Sequence, residues 1–133
     1  MSRQNVEIVR RIYDAWGAGG VRGEVLEYMS EQLEYVNPPY AVHAGTRHGL
    51  EGWLAVAENL DESFESWSHV LGEIVDADDK VLAITTFHAR GRGSSVDLEK
   101  YEPHVWTLRD GEVVRFQWFN EREEAEEAAG LRG

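Results

Sequence analysis

Five histidines, five tyrosines and five tryptophans stand in a chain without cysteine, and they bound the chemistry open to it. His104 and His88 carry imidazoles, which take or give a proton near neutral pH. Tyr35 and Asn37 lie two apart in the run Leu33-Glu34-Tyr35-Val36-Asn37. On an extended strand they share a face, where they can hold a water or a ligand carbonyl. By the same alternation His104 faces the same way as Trp106 and Leu108, and Val114, Phe116, Trp118 and Asn120 form another set. Each candidate also has a purely structural use. His104 can be a buried neutral imidazole bonded to a backbone carbonyl or to Tyr35. His88 turns outward if the register slips by a single residue. Asn37 precedes Pro38 and suits a turn. Asn120 suits a helix cap better than a ligand contact.

Other chemistries are excluded or unsupported. Without a thiol there is no disulfide framework, no thiolate metal site and no cysteine nucleophile. No His-x-His and no His-Glu-x-x-His occurs, and His43 and His48 stand apart in a loop, so no metal is expected. Gly17-Ala18-Gly19-Gly20 follows a helical pattern rather than a strand, which is the wrong context for a dinucleotide fingerprint. Lys plus Arg number 13 against 25 Asp plus Glu, a net charge of −12. Such a surface repels phosphate backbones and anionic lipid, so neither nucleic acid nor a membrane is an expected partner. No apolar run approaches the roughly 20 residues of a membrane span. The N-terminus lacks a signal-like apolar stretch, and a cytoplasmic location is expected.

The elements that must position these residues follow from periodicity. At 133 residues the chain is expected to be one domain, 1–133. Val6, Val9, Tyr13 and Trp16, widened by Ile8, Ile12 and Ala15, mark one face of a helix over 3–16. A short helix over 22–29 and a strand ending at Pro38-Pro39 follow. A helix over 49–62 carries Leu50, Trp53, Leu54, Ala57 and Leu60. From residue 65 the period changes to two, with strands over 66–76, 80–91, 96–109 and 112–120 joined by short turns. Short turns imply antiparallel neighbours. Asn120 and Glu123 read as the start of a charged helix over 121–129. The sum is an α+β fold, helices on one face of a curved antiparallel sheet.

This order resembles the SnoaL-like proteins of the nuclear transport factor 2-like superfamily. The resemblance is carried by Asn5 to Trp16 (NVEIVRRIYDAW), Leu33 to Pro39 (LEYVNPP), His48 to Gly52 (HGLEG), His104 to Arg115 (HVWTLRDGEVVR) and Arg122 to Leu131 (REEAEEAAGL). It implies a cone-shaped roll, a bent sheet wrapped round three or four helices with an apolar pocket at the open end. Relatives include ketosteroid isomerases, polyketide cyclases and limonene-type epoxide hydrolases, so fold alone does not give function. Carried over residue by residue, the isomerase base falls at Asn37, which cannot accept a proton at neutral pH. The isomerase oxyanion Tyr falls at Ile12, beside Tyr13, and the oxyanion Asp at His104. The epoxide hydrolases' Tyr-x-Asn matches Tyr35-Val36-Asn37, but their Arg and Asp fall at Thr86 and His88 and their last Asp at Asn120. The acid/base Asp of the cyclases falls at Trp118.

The expectation is therefore an aromatic-walled pocket for a small apolar or aromatic ligand, lined by Tyr13, Trp16, Trp53, Trp106, Phe116, Trp118 and Asn120. Plain core packing is the alternative for the aromatic set. Catalysis, if present, would be cofactor-independent acid/base chemistry of isomerase, cyclase or hydrolase type. His104 would move the proton, with Tyr35, Asn37 and, if it faces inward, His88 assisting. A non-catalytic ligand binder or a protein-interaction module is the competing reading. Val105, Val113 and Phe119 are expected on the outer sheet face, an apolar patch that would pair two copies as a homodimer. Scattering of these residues, or cover by the C-terminal helix, is the alternative.

Overall fold

The apolar stripe at 9, 12, 13 and 16 forms a helix because those positions fall on one side of a 3.6-residue turn. Val9 and Ile12 are fully buried on it, and Tyr13 and Trp16 nearly so. The computed structural model describes residues 3–17, 23–93 and 96–131. Its elements run α1 (Arg3–Gly17), a 3-10 turn (Gly23–Tyr28), β1 (Met29–Asn37), β2 (Gly45–His48), α2 (Gly49–Ser63), β3 (Phe64–Ala77), β4 (Lys80–Gly91), β5 (Asp97–Arg109), β6 (Glu112–Trp118) and α3 (Arg122–Ala128). The short helix expected over 22–29 is a 3-10 turn, and β1 starts four residues earlier than expected, at Met29. Most of Gly17-Ala18-Gly19-Gly20 lies outside the described residues. The expected α+β class is the observed one.

One six-stranded sheet has the order β2-β1-β6-β5-β4-β3. It is mixed rather than wholly antiparallel, because β1 pairs with β6 in parallel. A parallel pair needs a long crossover, and here everything from β2 to β5 supplies it. The strand β2 was expected to be loop; it pairs with β1, setting Arg47 opposite Tyr35. At the β5–β6 hairpin Arg109 pairs with Glu112 across Asp110-Gly111. Those turn residues take φ of 53° and 81°, the double left-handed turn that Asp-Gly accommodates.

Two cores lie on opposite faces of the sheet. The larger joins α1, α2 and the inner face, and is packed with rings: Trp106 and Phe116 at 4.5 Å between centroids, Trp16 stacked on Trp53 at 5.2 Å. The smaller lies on the outer face, where Ala125 and Ala129 cover Leu82 and Val105. The helices are thus not confined to one face. The expected outer patch also dissolves. Val105 is buried beneath the α3 end of the chain, and Phe119 packs against the same cluster. Val113 faces the inner core because a bulge between Thr107 and Leu108 breaks the alternation, pairing Thr107 with Arg115 but Leu108 with Val113. The same bulge takes Val114 out of its expected set with Phe116. The homodimer therefore loses the patch that motivated it.

Candidate functional site

Along β5 the inner face reads Leu98, Lys100, Glu102, His104, Trp106, from the mouth of the cone to its packed apex. The first three line a cavity of about 370 Å³ together with Tyr35, Asn37, Ala41, Val42, His43, Arg47, Val56, Asn59, Leu60, Phe64, His69, Phe87 and Trp118. The walls are mainly aliphatic and aromatic with a few polar groups, the ordinary make-up of a small-ligand site. At the side, the Trp118 indole N–H donates to Asn37 Oδ1 at 2.8 Å, and Lys100 Nζ lies 4.4 Å from the centroid of the Trp118 ring.

Beneath the cavity runs a buried polar chain. Trp106 Nε1–H donates to Tyr13 Oη at 2.8 Å. Tyr13 Oη and His104 Nδ1 are 2.6 Å apart, and His104 Nε2 and Glu102 Oε1 are 2.7 Å apart. An indole can only donate and an ionised carboxylate can only accept, so a neutral His104 gives Nε2–H to Glu102 and its bare Nδ1 takes the Tyr13 proton. His104 is then the Nε2–H tautomer. His69 Nε2 reaches the same Oε1 at 3.1 Å, while His69 Nδ1 is buried without a partner. Glu102 Oε2 is left on the Lys100 side, 3.5 Å from Nζ. Glu102 keeps 12% of its side chain exposed and His104 none, so it is Glu102 that meets the cavity.

The protonation states follow. Burial pushes His104 down to about 4, against the opposing pull of Glu102, so it is neutral at pH 7. Burial works to raise Glu102, but the hydrogen bonds from His104 and His69 outweigh it and hold the carboxyl well below its usual range. Burial raises the Tyr13 and Tyr35 hydroxyls far above their ordinary value, so both stay protonated. The floor of the cavity is an ionised carboxylate held by the imidazoles at Oε1, with Lys100 beside Oε2.

Of the residues singled out from sequence, Tyr35, Asn37 and Trp118 do border the cavity. His104 faces inward as expected but lies behind Glu102, out of reach of a ligand. His88 is a correction. It alternates with Phe87, which is the inward residue, and it lines a surface depression with Ser68, Arg90 and Glu99. Tyr13, Trp106 and Phe116 are apex core rather than wall. Trp16 and Trp53 border a void of about 10 Å³ and not the larger cavity. Their combined ring volume fills the apex instead of enclosing space. Asn120 is exposed, gives its backbone N–H to Tyr40 Oη, and is not the cap of α3, which is Glu121. Sequence reasoning missed Glu102, His69, Lys100 and Arg47. The alternation that placed His104 inward places Glu102 and Lys100 there too.

His69, Glu102 and His104 also form a group whose ligand atoms lie within 4.8 Å of one another, and a divalent ion could be held there. That would strip both Nε2 protons and turn His104 Nδ1–H onto Tyr13, leaving the Tyr13 hydroxyl without an acceptor. As it stands, the bonded chain from Trp106 to Glu102 is satisfied, and within the group only His69 Nδ1 is without a partner.

A cone built from a bent mixed sheet, with an apolar mouth and a buried polar floor, is the architecture of the nuclear transport factor 2-like superfamily. Residues 9–116 match the SnoaL-like domain, and the chain belongs to that family. Solved structures agree on the fold. A nuclear transport factor 2-like protein from Burkholderia thailandensis is 21% identical, with TM-score 0.80 over 97% of this chain and 98% of that one. TerC, co-crystallised with polyporic acid, is 19% identical with TM-score 0.78, covering 96% and 98%. A protein with a ketosteroid isomerase-like fold from Catenulispora acidiphila, in complex with trimethylamine, is 18% identical with TM-score 0.71, covering 94% and 93%. No curated protein matches by sequence. Among the described residues no helix is long and apolar enough to cross a membrane.

Proposed function

We propose that this chain binds a small, largely apolar oxygenated molecule in the cone, and that Glu102 is the group through which it acts on it as an acid/base enzyme of isomerase or cyclase type. The observation that carries this is a single carboxylate in a mainly apolar cavity, with Oε1 taken by two imidazoles and Oε2 beside Lys100, itself a cavity residue. An ionised carboxylate is acceptor-only, so it receives a ligand hydroxyl; it takes a proton only from carbon already acidic beside carbonyl groups, because the imidazole bonds that hold it ionised also make it a weak base. His104 and Tyr13 are positioning residues behind it. They replace the role given to His104 from sequence. Two structural neighbours of the same fold hold small molecules, which supports a ligand site here.

Titration of the purified chain with a panel of flat cyclic ketones and phenols tests the reading. The ketones that bind are then followed by proton NMR in deuterated water. The expected result is exchange of a proton beside the carbonyl, slowed roughly 10²–10⁴-fold in Glu102→Gln. Binding without exchange would reduce the protein to a ligand carrier. Failure of every member to bind would overturn both.

A further inference from the structure

We propose that the ligand is an anion, a small flat carboxylate or enolate whose charged head meets Arg47 and whose far end reaches Glu102. This rests on the cavity being a ligand site, and adds the charge and orientation of what enters it. The whole chain carries −12, yet the permanently charged cavity residues are Arg47 and Lys100 against Glu102 alone. The local balance is opposite to that of the molecule. Lys100 is already matched, 3.5 Å from Glu102 Oε2 and seated over Trp118. Arg47 is not: no hydrogen bond or ion pair engages its side chain among the described residues.

Its place is built rather than accidental. Arg47 stands opposite Tyr35 in the β1–β2 pair, and directly opposed residues point to the same side of a sheet. Tyr35 is an inner-face residue, so Arg47 is too. Behind it α2 approaches so closely at Gly52 that a Cβ there would lie 3.0 Å from Arg47 C and Cβ. A half-buried guanidinium with open donors is a fork for a carboxylate or enolate, and such charge-assisted pairs are the strong ones. Glu102 sets the opposite end, since its carboxylate repels an acid and accepts a hydroxyl. Arg47 on β2 is level with Trp106 of β5 through Tyr35 and Phe116, and Glu102 lies four residues further along β5, so the two are about 20 Å apart along the curved surface and closer across the cone. Both line the same cavity, so one molecule polar at both ends can meet the two.

Isothermal titration with 6-hydroxy-2-naphthoate, its amide, and the matching trimethylammonium compound tests this. The acid should bind at least about tenfold tighter than the amide. Arg47→Met should bring the acid to the affinity of the amide and leave the amide within about twofold, with Arg47→Lys between. In the unmodified chain, rising salt should weaken the acid and spare the amide, which keeps the test open should Arg47→Met not fold. An amide or ammonium compound that binds as well as the acid, or an Arg47→Met chain that keeps the preference, would overturn the anion proposal while leaving the cavity reading in place. No binding by any of the three would overturn both.

Discussion

Glu102 is ionised and can only accept, and the direction of the whole buried chain follows from that. Tyr13 must give its proton to His104 Nδ1, and His104 must give Nε2–H to Glu102. Tyr13→Phe would leave Trp106 Nε1 and His104 Nδ1 buried without partners. It should cost about 1–3 kcal/mol and leave His104 Nδ1 without its donor. Nitrogen-15 NMR of the imidazole should still show Nε2–H, which Glu102 holds, but with Nδ1 shifted by the loss of its donor; an unchanged Nδ1 resonance would contradict the chain. The same histidine makes stability depend on acid. Its folded value of about 4 lies below the ordinary 6.5, so the unfolded chain takes up the proton first. Stability from this group is complete above pH 6.5 and falls as pH drops toward 4, by on the order of 3 kcal/mol. Urea melts across that window should show the slope, and His104→Gln should flatten it. From sequence His104 was visible because histidine is scarce. Glu102 was overlooked as one of 25 acidic residues; alternation sets it on the His104 face, but its pairing with His69 from β3 exists only in the fold.

At the scale of elements, the long strands were readable because period two persists over ten residues or so. The strand β2 was not, since Gly45–His48 is four residues with no apolar alternation, and what makes it a strand is the partner β1. The bulge on β6 was equally hidden. It shifts register by pairing and has no composition signal, and it misplaced Val113 and Val114. The contact of α2 with β2 has its own test. Gly52→Ala would gain about 1 kcal/mol of helix propensity. It would also press a methyl on backbone at 3.0 Å, an overpacking cost of about 1–3 kcal/mol. Backbone cannot swing aside as a side-chain tip can, so the cost wins. The variant should melt lower by circular dichroism and bind acidic ligands more weakly; a higher melting temperature would mean that α2 can withdraw freely.

At the scale of the molecule, the fold was readable nearly whole, because the order of periodic segments survives local errors of register. What failed was the assignment of faces. An aromatic residue looks the same whether it walls a cavity or fills an apex, and only the enclosed volume tells them apart. The outer face failed likewise, since Val105 reads as exposed until α3 is laid over it. Ala125→Glu would place a charge in that seam, where Ala125 is fully buried. It should cost several kcal/mol unless α3 detaches. Hydrogen exchange should show α3 and the facing part of β5 losing protection together, whereas an unchanged pattern would mean that the helix is not part of the fold's closure. The α3 end is also held by the paired contacts of Arg122 with Glu73, at 2.8 and 3.0 Å. That exposed link should weaken with salt.

The central claim is that Glu102, and not His104, meets what enters the cone. Isothermal titration of 6-hydroxy-2-naphthoate and of 2-naphthoate, which lacks the hydroxyl, into the parent chain and into Glu102→Gln tests it most directly. The account predicts that the substitution weakens the hydroxylated compound about tenfold or more and leaves the other within about twofold. Equal effects on both compounds, or none on either, would contradict it.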